Sequence, residues 1–304
     1  MRLGEQLWTR EHKWRATYDE RQDRHYQRCE LEEPFALTAK LKQMGAGRVE
    51  VVVRNTNLQA VMDMSDPAMR PRGKRVQRGE MTEENKQRSL ARSRQTVRII
   101  CQRIEADRMG TFGTRSVIPL EVLMTRFQRF VARYEYSTKT KLKYCAVPEL
   151  HPNGLPGHYH LHVAFAGWFQ LGIALPIWHA LCDADDKDHE VNGSINIKQF
   201  RVRSLTDDVP SVIASYIAKY VGKSLDAGFN KRKYWATRLP AVEVDYKILK
   251  AATWQEAMNE LSALLGFEFS SVVMTHRGCF FAFPEDRGFW FKLTPSMARA
   301  AVPF

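Results

Sequence analysis

The chain has 304 residues, 44% of them hydrophobic, with a net charge of +12, enough to bury a core in one large domain or two ordinary ones. No window approaches the ~20 apolar residues of a membrane span, and the charged N-terminus has no apolar leader segment. The five cysteines (Cys29, Cys101, Cys145, Cys182, Cys279) are scattered without a CxxC pair, which excludes a zinc ribbon and a disulfide framework. The expectation is a cytoplasmic protein with reduced thiols.

In chain order, residues 1–80 form a region of unknown role. Within it, 47–54 alternate like a strand and 69–78 read as a basic loop or linker. Residues 82–104 place Leu90, Val97, Ile100, Cys101 and Ile104 at helical spacing. Residues 107–115 read as a short strand. Residues 119–136 open on a proline suited to a first helical turn and continue amphipathically. Strands are predicted at 142–150 and 158–166, joined by the breaker-rich turn 151–157, so the two form a hairpin. A short helix follows at 176–182, then an acidic loop at 183–190, a strand at 193–203 and a helix at 209–225. Beyond these, 254–265 read as a helix, and 270–283 and 289–293 as strands. This order predicts an α+β fold, an antiparallel sheet with helices packed on one face. The expected domains are 1–80, a nuclease-like core at 81–240 with a basic N-terminal helix, and an α/β extension at 241–304 that can belong to the same domain.

The positive charge is concentrated. Residues 68–98 carry ten Lys/Arg, including Arg88, Arg92 and Arg94, against three acids. Residues 216–238 carry six bases, including Lys223, Lys231, Arg232 and Lys233, against Asp226 alone. Two such blocks fit a polyanionic partner, and these seven residues are candidate DNA contacts.

In a strand, His158, His160 and His162 share one side, while Tyr159, Leu161, Val163 and Phe165 take the other. Neutral imidazoles at this spacing can reach one divalent ion. Glu149, on the neighbouring strand of the hairpin, can complete the set and favours a hard ion such as Mg²⁺ or Mn²⁺. Taken alone, the histidines fit a zinc site equally well, and a structural role for them stays open. Tyr216 and Tyr220 lie about one helical turn apart, with Lys219 between them. A phenol, with a pKa near 10, is a weak nucleophile at neutral pH. It needs a nearby cation and charge withdrawal from its target, which Lys219 and a histidine-bound ion would provide. Gly222-Lys223-Ser224 lacks the upstream glycine of a phosphate-binding loop, so no nucleoside triphosphate is expected. The acidic run 183–190 lacks the glycine and terminal glutamate of an EF-hand loop.

These residues together resemble the HUH endonucleases, specifically the two-tyrosine rolling-circle replication initiators of phages and plasmids. His160-Leu161-His162 with Val163-Ala164-Phe165 is similar to the family's His-hydrophobic-His motif. Tyr216-Ile217-Ala218-Lys219-Tyr220 is similar to its two-tyrosine motif. Thr111-Phe112-Gly113-Thr114 stands where the family's first, Thr-rich motif would lie, and departs from it. His158-Tyr159-His160 also fits the histidine motif, which leaves His158 as an alternative ligand.

The resemblance implies a metal-dependent nicking-joining enzyme acting on single-stranded origin DNA in a bacterial host, with a separate helicase and polymerase. Tyr216 would attack first and form a 5′-phosphotyrosyl link, and Tyr220 would attack the regenerated junction. A two-tyrosine single-strand transposase shares this order of motifs, whereas a relaxase usually has its tyrosine ahead of the histidines. A non-catalytic DNA-binding protein is the alternative from another class.

Overall fold

Alternating apolar and polar residues need a sheet with one face buried, and the apolar stripes of the amphipathic segments need a surface to cover. The computed structural model of the protein describes residues 12–19, 24–45, 47–65, 82–151, 157–182, 193–200, 208–221, 233–266, 280–282 and 288–293. In chain order these form β1 (His12–Asp19), β2 (Arg24–Leu31), β3 (Phe35–Gly45), β4 (Arg48–Asn57) and α1 (Leu58–Ser65). Next come α2 (Glu83–Arg103), β5 (Arg108–Thr114), α3 (Leu120–Thr138), β6 (Tyr144–Leu150), β7 (Tyr159–Phe165) and α4 (Leu171–Cys182). The rest are β8 (Gly193–Gln199), α5 (Val209–Ala218), β9 (Trp235–Ala236), β10 (Val244–Ile248), α6 (Trp254–Leu265), β11 (Phe280–Ala282) and β12 (Gly288–Leu293). By its contacts the chain divides into two units, Met1–Gln77 with Ala241–Phe304, and Arg78–Pro240.

In the first unit, β1 and β2 form an antiparallel hairpin, and a second antiparallel sheet runs β10-β3-β4-β12-β11. Strands from the two ends of the chain thus pair directly, β10 with β3 and β12 with β4. Leu37, Ala39 and Leu41 alternate inward from β3 and meet Val51, Val53, Phe289 and Phe291, and Ala257 and Leu261 of α6 close over them. The α6 helix is held at its start by a capping box, in which the Thr253 and Glu256 side chains each bond the other's backbone N–H.

The second unit is built on an antiparallel sheet of order β8-β5-β7-β6-β9. On one face Phe112, Leu161, Val163 and Phe165 pack against Phe127 and Phe130 of α3 and Trp178 of α4. The Phe112 ring meets Phe127, Phe130 and Trp178 edge-on at 5.1–5.3 Å between centroids, an arrangement aromatic quadrupoles favour. Trp178 also fixes the start of β8: a Cβ at Gly193 would stand 2.7 Å from its ring.

The α+β class and antiparallel sheet are as expected, but helices occupy both faces. On the side opposite α3 and α4, Cys145, Val147 and Ala164 are covered by Val97 and Cys101 of α2 and by Ile213 and Ile217 of α5. These strand residues are small or β-branched, so the helices approach closely. Two helices differ from the predicted bounds. The α4 helix starts at Leu171 and carries Pro176 inside it. The α5 helix stops at Ala218. Residues 219–221 continue as a tighter turn, with Lys219 N–H bonded to the Tyr216 carbonyl at 3.2 Å and Tyr220 N–H to that of Ile217 at 3.1 Å. Residues 222–225 and the acidic loop 183–190 lie outside the described residues.

Candidate metal centre and tyrosine pair

The β6–β7 ladder sets Glu149 directly opposite His160 and Val147 opposite His162. The period of two then turns both imidazoles and the carboxylate to the same side of the sheet. Glu149 Oε2 lies 3.1 Å from His160 Nε2 and 2.7 Å from His162 Nε2, and the two Nε2 atoms are 3.0 Å apart. The three form a convergent donor group. Donors about 2.1 Å from a shared ion are separated by about 3.0 Å along an octahedral edge and about 3.4 Å in a tetrahedron. The observed spacing fits the octahedral edge, and with it a hard divalent cation. The residues therefore suit the expected Mg²⁺ or Mn²⁺.

Burial lowers the His160 pKa, helped by His151 and His158 and opposed by Glu149. The imidazole is accordingly neutral at pH 7, the state in which it can bind metal. His158 shares the face but not the donor group. Its Nε2 donates to the Thr114 carbonyl at 2.7 Å, and its ring stacks on His151 at 5.3 Å.

The tyrosines reach this group from α5. The Tyr220 ring stacks on His162 with centroids 3.9 Å apart and planes 22° from parallel. Tyr216 stands edge-on to Tyr220 at 5.4 Å. Ile213 and Ile217 anchor the opposite side of the helix in the core, so Tyr216 is directed at the site. Burial raises the Tyr220 pKa, and Tyr216 and the Glu149 charge push it further in the same direction. As it stands, the pocket keeps this phenol protonated. Lys219 is exposed, with its Nζ 5.9 Å from the Tyr216 ring centroid.

Among the candidate DNA contacts, Arg88, Arg92 and Arg94 are carried on α2, Arg88 and Arg92 exposed and Arg94 half-buried or more open. Arg88 pairs with Glu84 at 2.5 Å, and Arg94 Nε donates to the Val221 carbonyl at 3.3 Å. Lys233 differs from the expectation of a solvent-facing cation. It is 6% exposed, its Nζ donates to Ser89 Oγ at 2.9 Å, and burial lowers its pKa. Lys223, Lys231 and Arg232 lie outside the described residues.

Three neighbours of the site were missed by sequence reasoning. Thr111, opposite His162 on β5, brings its Oγ1 to 3.5 Å from His162 Nδ1. His151 meets His160 edge-on at 5.5 Å, and Phe200 meets Tyr216 at 5.6 Å. The hairpin turn pointed to His151, whereas Thr111 and Phe200 depend on strand pairing that local patterns do not reveal.

Fold and site together define an α+β protein with a group suited to a divalent metal beside two tyrosines. Residues 111–225 match a family model described as replication-associated protein, of the ORF2 type. The matched span begins in β5 and encloses the donor group and both tyrosines. The match links this segment to DNA replication and is consistent with a rolling-circle replication initiator family. No curated protein and no solved structure matches the chain. No helix among the described residues is long and apolar enough to cross a membrane.

Proposed function

We propose that the protein initiates rolling-circle replication by nicking single-stranded origin DNA with a tyrosine and rejoining the strands. The observation that carries this reading is the Tyr220 ring resting on His162, whose Nε2 belongs to the Glu149–His160–His162 group. A divalent ion held by these three residues would draw charge from the scissile phosphate and favour the phenolate. Lys219 favours the ionised form of Tyr216 through its charge.

The phenol oxygen of Tyr216 attacks phosphorus. The bond from phosphorus to the 3′ oxygen breaks, that oxygen takes up a proton, and the 5′ phosphate stays on the tyrosine. The free 3′-hydroxyl primes synthesis. Tyr220 then attacks the regenerated junction in the same way, releasing a new 3′-hydroxyl. This hydroxyl attacks the phosphotyrosine at Tyr216, restores the phenol and closes the circle. Each step exchanges one phosphodiester for another, so rejoining needs no nucleoside triphosphate. Unwinding of the duplex falls to a separate helicase.

The test is incubation with a labelled single-stranded DNA pool and Mn²⁺, then mass mapping of the DNA-linked peptide. The linked peptide is expected to carry Tyr216 or Tyr220. The Tyr216→Phe/Tyr220→Phe variant should bind DNA within about twofold of wild type, because both rings remain, and should form no adduct. An adduct that survives in the double variant would overturn the choice of nucleophiles. Binding by the wild type without any adduct would favour a non-catalytic DNA-binding protein.

A further inference from the structure

The sheet face that carries the metal donors extends beyond them. Thr111 pairs with His162 on one side and with Asn196 of β8 on the other, so these three side chains form one row on one face. Gly113 and Met109 of β5 pair likewise with Ser194 and Lys198. In β8, Ile195 and Ile197 turn to the aromatic core, while Ser194, Asn196 and Lys198 are exposed. Just past the strand, Phe200 is half-buried. Its ring meets Tyr216 at 5.6 Å, and Lys198 Nζ lies 5.5 Å from its centroid. Rings thus run without a break from His162 through Tyr220 and Tyr216 to Phe200, with Lys219 and Lys198 beside the last two.

A polar face on an edge strand is commonly only a guard against unwanted pairing, and an edge lysine serves that purpose well. Here the face adjoins the donor group and ends on an aromatic ring under a cation. We propose that β8 and Phe200 form the track for the single strand leading to the scissile phosphate, a reading that rests on the nicking function above. Phe200 stacks a base, Lys198 holds a phosphate, and Ser194 and Asn196 offer hydrogen bonds to the nucleotides between. Two interstrand spacings separate His162 from Asn196, roughly 10 Å. That spans about three nucleotides at duplex spacing, and fewer in an extended strand. The occupant is single-stranded because stacking on Phe200 needs an unpaired base face.

The test separates binding from chemistry. In the Tyr216→Phe/Tyr220→Phe background, binding is measured with a labelled oligothymidylate of about 16 nucleotides carrying one 2-aminopurine. Phe200→Leu keeps apolar packing but removes the ring face, and should weaken binding about tenfold and relieve 2-aminopurine quenching. Phe200→Tyr should restore both. Lys198→Gln, at an exposed site, should lower the log–log salt slope by about 0.7. Unchanged affinity and quenching in Phe200→Leu, with an unchanged slope in Lys198→Gln, would overturn the track. Adduct formation by the wild type reads the nicking function separately. An absent adduct with the binding losses intact would defeat that function and leave the track standing.

Discussion

Replacing Glu149 by Gln keeps the size of the side chain and removes the negative charge from the donor group. The carboxylate oxygen stands 2.7 and 3.1 Å from the two histidine Nε2 atoms, so an ion shared by the three would be in direct contact with it. Removing one partner of a buried charge pair costs about 3–5 kcal/mol. The Glu149 side chain is 16% exposed, which places it at the lower end, about 3 kcal/mol or roughly a 100-fold weaker Mn²⁺ affinity. Calorimetric titration of the DNA-free protein with Mn²⁺ reads this directly. Thermal denaturation reads it again, since ion at about 100 times its dissociation constant stabilises the wild type by about 2.7 kcal/mol. His158→Ala provides the contrast. Its Nε2 is committed to the Thr114 carbonyl, so its removal should change Mn²⁺ affinity by less than about threefold. A loss under threefold in Glu149→Gln, or equal losses in the two variants, would refute the donor group.

Three further outcomes are expected. Burial holds His160 below the usual histidine range, so the unfolded chain binds its proton first as pH falls. The stability this neutral imidazole contributes is complete above about pH 6.5 and declines below it toward the lowered folded value; denaturant midpoints across mildly acidic pH should fall less steeply in His160→Gln than in wild type. Neutralising Arg88, Arg92 and Arg94 together should lower the salt slope of single-strand binding by about 2, and an unchanged slope would leave α2 as a solvated face. Phe112→Ala should cost about 3–5 kcal/mol in urea denaturation, because the side chain is 1% exposed and meets several rings.

What was legible in the sequence depended on local period. His160 and His162 fall on one strand face because alternation is a property of a few consecutive residues. Glu149 was within reach because a breaker-rich turn joins its strand to theirs, which limits the possible registers. The tyrosine pair was visible as a one-turn spacing, although the helix ends at Ala218 and Tyr220 sits in the turn beyond. Long-range pairing was not legible. Nothing near Val244 or Phe289 indicates pairing with β3 and β4, and nothing near Thr111 indicates that it faces His162. The second helical layer was missed because the apolar positions of α2 and α5 show that each must be covered, not which sheet face covers it. Lys233 resembled its basic neighbours in composition, yet a single contact with Ser89 and the burial around it set it apart.

The two halves of the site differ in how firmly they are held, and the proposed chemistry needs that difference. The donor histidines sit on β7, which is paired on both edges, with Leu161 and Val163 between and beyond them locked in the aromatic core. A shift in either imidazole would therefore disturb two ladders and a packed face, so the donor positions are fixed before any substrate arrives. The tyrosines lie at the last turn of α5, where the backbone passes from α-helical bonding to a tighter i→i+3 turn. Helix ends open at lower free energy than sheet centres. Two phenols that must take turns at one phosphate require small, opposite displacements, and a helix terminus against a fixed sheet supplies them without moving the metal donors.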